Sequence, residues 1–275
     1  MRLVDSHAHL QAEPFAGDVA EVIAAAELAG VERILVPGWD LASSVAAVDL
    51  VVRFPQLTAA VGVHPHAAAE ADDAAWRGVV ELASEPTVVA IGETGLDFDR
   101  MFSPVDAQLA NLRRNLALAL GTGKPAILHC RSRAGARDAQ DALLAELRAA
   151  GFGGAAAARA FGDRPPAILH SVSGPVDYVA AALALGLAVS VSGLAFRRGE
   201  EATAESVRHV PADRLLVETD SPYLSPPGAP RRRNEPAWVG VTARWVAERR
   251  GDGPAAFGEA LVAAHDRVYP RPAGG

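Results

Sequence analysis

Eight short runs rich in Val, Ile, Leu and Ala, each followed by a stretch of helical character, constrain this chain more than any other feature. The strand candidates are Leu3–Asp5, Arg33–Pro37, Thr58–Val63, Val88–Gly92, Pro125–His129, Ala167–His170, Ala188–Ser192 and Leu215–Thr219. Amphipathic or Ala-rich segments separate them at 18–29, 41–53, 72–84, 105–121, 136–150, 175–185 and 201–209, and one more follows at 236–250. Strands alternating with helices predict a parallel sheet, and eight such units predict closure into a (β/α)₈ TIM barrel. The strands read as continuous apolar runs, as a sheet covered on both faces requires. No shift in composition marks a boundary, so a single domain is expected over 1–270. A helix near 255–267 is an appendage, Gly151–Pro166 reads as a partly helical surface insertion, and 271–275 reads as a disordered tail.

Half of the 275 residues are hydrophobic but only 5% are aromatic, so Ala, Val and Leu must do most of the packing. A net charge of −7 excludes a general basic coat and makes any basic surface local. The single cysteine, Cys130, excludes an internal disulfide framework and suits a reducing compartment. The N-terminal stretch MRLVDSHAHL lacks an apolar signal region, and nowhere is there the ~20-residue apolar run of a membrane span. These features predict a cytoplasmic protein with no membrane association and no evident obligate protein partner.

The polar residues of chemical interest gather where an α/β barrel builds its active site, at the C-terminal ends of the strands. His7 and His9 end the first strand, His64 and His66 the third, Glu93 the fourth, His129 the fifth, His170 the sixth and Asp220 the eighth. Six of eight histidines therefore follow a strand directly, whereas His209 and His265 do not. Imidazole suits borderline divalent metals, and a carboxylate can bridge two ions. His7 and His9, two apart in an extended segment, share one face and can reach one ion. Glu93 is placed to bridge, His129 and His170 to hold a second ion, and Asp220 to close the ring beside the first strand. A single histidine or acid at a strand end is ordinarily structural; six metal-competent groups from five strands at one end are not.

The segments DSHAHL, GVHPH, GETGLDF, LHCR, LHSVSG and ETDSPYL, followed by RRRNEP, resemble in order the TatD family of metal-dependent deoxyribonucleases in the amidohydrolase superfamily. The resemblance runs from Val4 to Tyr269. It implies one metal held by His7, His9, Glu93 and Asp220 and another by Glu93, His129 and His170, and a nuclease that hydrolyses phosphodiester bonds of DNA, often from an end. Many binuclear members of the superfamily bridge their metals with a carboxylated lysine. The sole lysine here, Lys124, precedes the fifth strand and should face the opposite end, which leaves the bridge to Glu93.

The chain also departs from the family pattern. Phe98 is followed by Asp99 rather than a second aromatic residue, Val172 stands where an aromatic is usual, Ser132 stands where an acid often follows, and the terminal Thr-x-x-Asn is replaced by Ala263-Ala264-His265-Asp266. The first two departures remove surface on which a base could stack.

The expected chemistry is two-metal hydrolysis with two divalent ions (Mg²⁺, Mn²⁺ or Zn²⁺), Asp220 as ligand and general base, and Glu93 between the ions. The expected substrate is nucleic acid, either single-stranded DNA or DNA ends. His64, His66, Arg131 and the run Arg231, Arg232 and Arg233 are its candidate contacts, because guanidinium presents a fork to phosphate. Cys130 has no activating base and reads as a filler. The same centre could instead hydrolyse an ester, lactone or amide, such as an aminoacyl-tRNA, and a catalytically silent binding protein is the alternative of another class.

Overall fold

The computed structural model describes residues 1–270; the tail expected at 271–275 lies outside them. Eight strands form one parallel sheet in sequential order: β1 (Leu3–Asp5), β2 (Val31–Pro37), β3 (Leu57–Val61), β4 (Val88–Asp97), β5 (Ala126–Arg131), β6 (Ala167–Leu169), β7 (Ala188–Val191) and β8 (Leu215–Val217). Ten helices accompany them: α1 (Val19–Leu28), α2 (Leu41–Arg53), α3 (Asp73–Leu82), α4 (Val105–Thr122), α5 (Asp138–Ala150), α6 (Ala155–Phe161), α7 (Val176–Ala184), α8 (Glu201–Ser206), α9 (Val239–Arg250) and α10 (Pro254–Val268). The architecture is a (β/α)₈ barrel. Helix α6 occupies the insertion between α5 and β6. Among the described residues, no helix is long and apolar enough to cross a membrane.

β1 and β8 are joined just beyond their named ends. Ser6 N donates to Val217 O (3.1 Å), Asp220 N to His7 O (2.9 Å) and His9 N to Ser221 O (2.8 Å). The Asp5 carboxylate reinforces the seam by accepting from Thr219 N at 2.9 Å and Thr219 Oγ1 at 2.5 Å. The closure therefore places His7, His9 and Asp220 side by side.

Inside the barrel, Leu35, Ala60, Ala90, Ile127, Ile168, Ala188 and Leu216 form an apolar layer, completed by Ala264 and Val268 of α10 and by Tyr269 just past its end. The final helix thus plugs the N-terminal mouth, which leaves the C-terminal mouth for chemistry. The larger apolar cluster lies between strands and surrounding helices. It is built mainly of Val, Leu, Ile and Ala, as the low aromatic content required.

β4 does not end at Gly92. It continues to Asp97, with Thr94 opposite Leu128, Gly95 opposite His129 and Asp97 opposite Arg131, after an irregularity between Ile91 and Thr94. The glycines of this segment serve close approach between β4 and β5. Gly95 has φ +135°, and a Cβ there would overlap the carbonyl oxygen of His129. The bulge re-aims the chain at Glu93, a common use of irregular pairing beside a site. Lys124 lies at the other end, donating to Ala83 O (2.6 Å) and Glu85 O (3.0 Å), too engaged and too distant in the fold to bridge metals.

Candidate metal centre

Glu93 is buried at the centre of the histidine cluster. Its Oε1 lies 2.8 Å from His170 Nε2, 3.2 Å from His129 Nδ1 and 3.3 Å from His64 Nε2. Its Oε2 lies 3.4 Å from His7 Nε2 and 3.7 Å from His9 Nε2. Asp220 Oδ1 approaches the same two rings, 3.7 Å from His7 and 3.5 Å from His9. The structure thus brings His7, His9, Glu93, His129, His170 and Asp220 together. Among the described residues, four overlapping triplets have donor atoms within 4.8 Å of one another: His7, His9 and Glu93; Glu93, His129 and His170; His7, His170 and Asp220; and His64, His66 and His129.

Hydrogen bonds on the far sides of three rings fix which nitrogen faces inward. His9 Nδ1 faces Pro37 O at 3.3 Å, His170 Nδ1 faces Glu218 Oε1 at 3.2 Å, and His129 Nε2 faces Asp97 Oδ2 at 3.2 Å. Each acceptor holds a ring proton outward and turns the other nitrogen towards Glu93, where it can coordinate once it carries no proton of its own. His7 and His9 bring their Nε2 atoms within 3.2 Å of each other. Two carboxylates packed this closely in a buried site demand positive charge among them. The donor set of nitrogen and carboxylate oxygen therefore fits divalent cations. The same demand shows in His170: burial opposes its charge, yet Glu93 and Glu218 on either side more than offset this and push its pKa up.

His64 belongs to the cluster but not as an equivalent donor. Its Nδ1 accepts from His66 N (3.1 Å), so the neutral ring carries its proton on Nε2, aimed at Glu93. Burial pushes its pKa down to about 4, which keeps it neutral. His66 turns instead to Asp97 Oδ2, at 2.7 Å.

Asp97 and Glu218 escaped the sequence reading, and both are fully buried. Asp97 receives His66, His129 and Arg131 Nη1 (3.3 Å) on one oxygen. Burial raises its pKa, but hydrogen bonds from His129 and His66 outweigh this and hold the carboxyl below the usual range. Glu218 receives His170 Nδ1, Ser171 N (2.5 Å) and Ser171 Oγ (2.8 Å), and is held near 2 against the opposing effect of burial. Their signal in the sequence was an acid four residues after Glu93 and another two before Asp220. Ser171 and Asp220 both take positive φ, 43° and 53°, a strained state for non-glycine residues that persists where the surroundings enforce it.

Above the cluster opens a cavity of about 1160 Å³, lined among others by Trp39, Arg131, Tyr223, Arg231 and Arg232. Arg231 and Arg232 are exposed at its wall. Arg233 departs from the expectation for the run. It pairs with Asp18 Oδ2 (2.8 Å) and Glu235 Oε1 (2.7 Å), donates to Pro14 O (2.8 Å) and lies over the Phe15 ring. Its fork is spent tying the loop to the barrel. Burial pushes the Cys130 thiol up to about 12, which disfavours the thiolate.

A parallel barrel with buried histidines and acids converging beneath an arginine-lined cavity defines a metal-dependent hydrolase. A family model described as "TatD related DNase" matches residues 4–270, and the chain belongs to that family. It is 35% identical to the 3′-5′ ssDNA/RNA exonuclease TatD of Erwinia billingiae, over 98% of this chain and 100% of the relative. It is also 35% identical to the metal-dependent hydrolase YabD of Bacillus subtilis, which is described as uncharacterized, over 90% of each chain. The crystal structure of YJJV, a TatD homolog from Escherichia coli K12, superposes with a TM-score of 0.83 at 25% identity, covering 98% of both chains.

Proposed function

We propose that this protein is a nuclease that hydrolyses phosphodiester bonds of single-stranded nucleic acid, working inward from an end. One observation carries the reading: inward-facing nitrogens and carboxylates lie beneath a cavity whose wall holds Arg131, Arg231 and Arg232 in a protein of net charge −7. Local positive charge in an acidic protein suits a polyanion. The exonuclease name of the Erwinia billingiae relative, which matches along nearly its full length, agrees with that substrate.

On this reading His7, His9, Glu93 and Asp220 would hold one divalent ion, and Glu93, His129 and His170 would hold a second. Bound there, Mn²⁺, Zn²⁺ or Mg²⁺ would lower the pKa of water and neutralise charge growing on phosphate oxygens. Asp220 takes the proton from the attacking water on its carboxylate and passes it to the leaving oxygen. His64 keeps its Nε2–H on Glu93 Oε1 and so holds that carboxylate in place, while Arg131, anchored at one nitrogen by Asp97, offers its remaining donors to a phosphate oxygen. Asp97 and Glu218 keep the ring protons of His129 and His170 outward. We assign the cytoplasm as its compartment, on the strength of its single cysteine.

A lactone or other small neutral ester or amide would use the same cluster but would leave Arg231 and Arg232 without an anion. A substrate panel tests the choice: single-stranded DNA, duplex DNA, RNA, an aminoacyl-tRNA and a lactone, each with Mn²⁺, Zn²⁺ and Mg²⁺. Fastest turnover on single strands is expected. Turnover of the lactone or aminoacyl ester with none of either nucleic acid would overturn the reading.

A further inference from the structure

Two large aromatic side chains stand in water, Tyr223 at 58% exposure on the cavity lining and Phe102 at 69% beside the lining residue His66. Single exposed apolar residues are ordinary, and Leu28 and Val52 on α1 and α2 are of that kind. Tyr223 and Phe102 differ in where they stand and in how firmly they are held. Tyr223 follows β8, lines the cavity, and lies with its ring 6.1 Å from that of His9. Phe102 follows β4 and sets its ring 4.7 Å from His66, near perpendicular, where His66 itself lines the cavity. In a barrel ordered β1 to β8, those positions are four strands apart, on different sides of the histidine cluster.

Both are presented on tied loops. Asp97 Oδ1 accepts from Asp99 N (3.1 Å) and Arg100 N (2.9 Å), and Ser103 Oγ donates to His66 O (2.8 Å), so Phe102 sits between fixed neighbours. Tyr223 N donates to Asp220 O (2.8 Å), and Asn234 Nδ2 donates to Tyr223 O (2.8 Å). Each ring also shares its loop with cavity-lining guanidinium groups, Arg100 beside Phe102 and Arg231 with Arg232 beyond Tyr223. A flat apolar face next to a cation is complementary to a base and its phosphate.

We propose that Tyr223 and Phe102 are base-stacking platforms, so that an unpaired strand crosses the cluster with one base on each ring. The proposal rests on the nuclease reading above. It assigns single-strand preference to geometry, because bases within a duplex already have both faces covered by their neighbours.

Strands carrying one abasic site, stepped through positions around the scissile phosphate, test it. In the wild-type protein, KM should rise by about fivefold or more at two positions, one on each side of that phosphate, the low end of what base–aromatic stacking supplies. Phe102→Ala should abolish the sensitivity at one position and keep it at the other, and Tyr223→Ala should do the reverse. Abasic strands handled as well as intact ones by the wild type, or sensitivities unchanged in both variants, would overturn the platforms. Hydrolysis of bis(4-nitrophenyl) phosphate by the wild type reads the underlying activity separately. A flat abasic series with that diester hydrolysed removes the platforms alone; loss of hydrolysis of both diester and strands removes the nuclease reading and the platforms with it.

Discussion

Glu218 Oε1 stands 3.2 Å from His170 Nδ1, while Nε2 of the same ring faces Glu93 Oε1 at 2.8 Å. One buried carboxylate thereby fixes the tautomer of a histidine whose other nitrogen faces the centre of the cluster. Removing such a partner typically lowers metal affinity by ~10–100-fold. Glu218→Gln keeps an oxygen for Ser171 but removes the charge, and should weaken metal binding by about tenfold while far-ultraviolet circular dichroism stays unchanged. Titration calorimetry with Mn²⁺ or Zn²⁺ would show it; an unaltered affinity would make Glu218 a purely structural acid.

Chelation should abolish hydrolysis, and a divalent ion should restore it. Glu93 lies within 3.7 Å of five histidine nitrogens, so Glu93→Ala should lose most bound metal from the whole cluster rather than from one half. Elemental analysis of the purified variant measures this directly. Retention of the wild-type metal content would remove Glu93 from its central role.

Asp220→Asn should keep the fold, since the backbone bonds of residue 220 to His7 and Tyr223 do not involve the side chain. It retains an oxygen but cannot take a proton. Turnover at saturating metal should fall by ~10²–10⁴-fold, the usual effect of losing a general base. A variant within twofold of wild type would pass that role to another group.

The arginine run should divide in two. Neutralising Arg231 and Arg232 together should flatten the log–log salt dependence of single-strand affinity by up to about 1.4, from ~0.7 per phosphate contact. Arg233→Ala should leave that slope alone and lower the melting temperature, because it removes the pairs to Asp18 and Glu235. Equal slopes in wild type and double variant would leave Arg231 and Arg232 as solvated charge.

His265 lies buried in α10, its ring nitrogens without hydrogen-bond partners among the described residues and its ring 5.2 Å from that of Tyr269. Burial pushes its pKa from 6.5 down to about 4. The unfolded chain therefore binds more protons than the folded one between those values, so acid destabilises the barrel plug as pH falls from 6.5 towards 4. The difference amounts to up to about 3 kcal/mol. Nearby Asp266, 3.9 Å away, is paired with Arg33. Urea denaturation across that range should show a shallower loss in His265→Leu than in wild type; parallel profiles would exclude this histidine as a source of the acid sensitivity.

Much of this protein is written locally. Apolar runs and helical periodicities yield eight repeating units, because strand and helix formation respond to residues within a few positions of one another. His7, His9, Glu93, His129, His170 and Asp220 stood out for the same reason, each lying at or just past a recognisable strand end. What the tertiary structure decided are matters of partnership across the chain. Asp97 and Glu218 look like any acids near strand ends until His129 and His170, 32 and 48 residues away, turn a nitrogen towards them. Arg233 looks like its two neighbours until Asp18, 215 residues earlier, takes its fork. β4 reads as ending at Gly92 because glycine usually interrupts a strand. It runs on to Asp97 because only β5, packed against it, supplies the hydrogen-bonding edge and the crowding at His129 that make glycine necessary there. Sequence periodicity fixes which face a side chain occupies, whereas the atom it offers and the partner that holds it depend on contacts made only when the barrel closes.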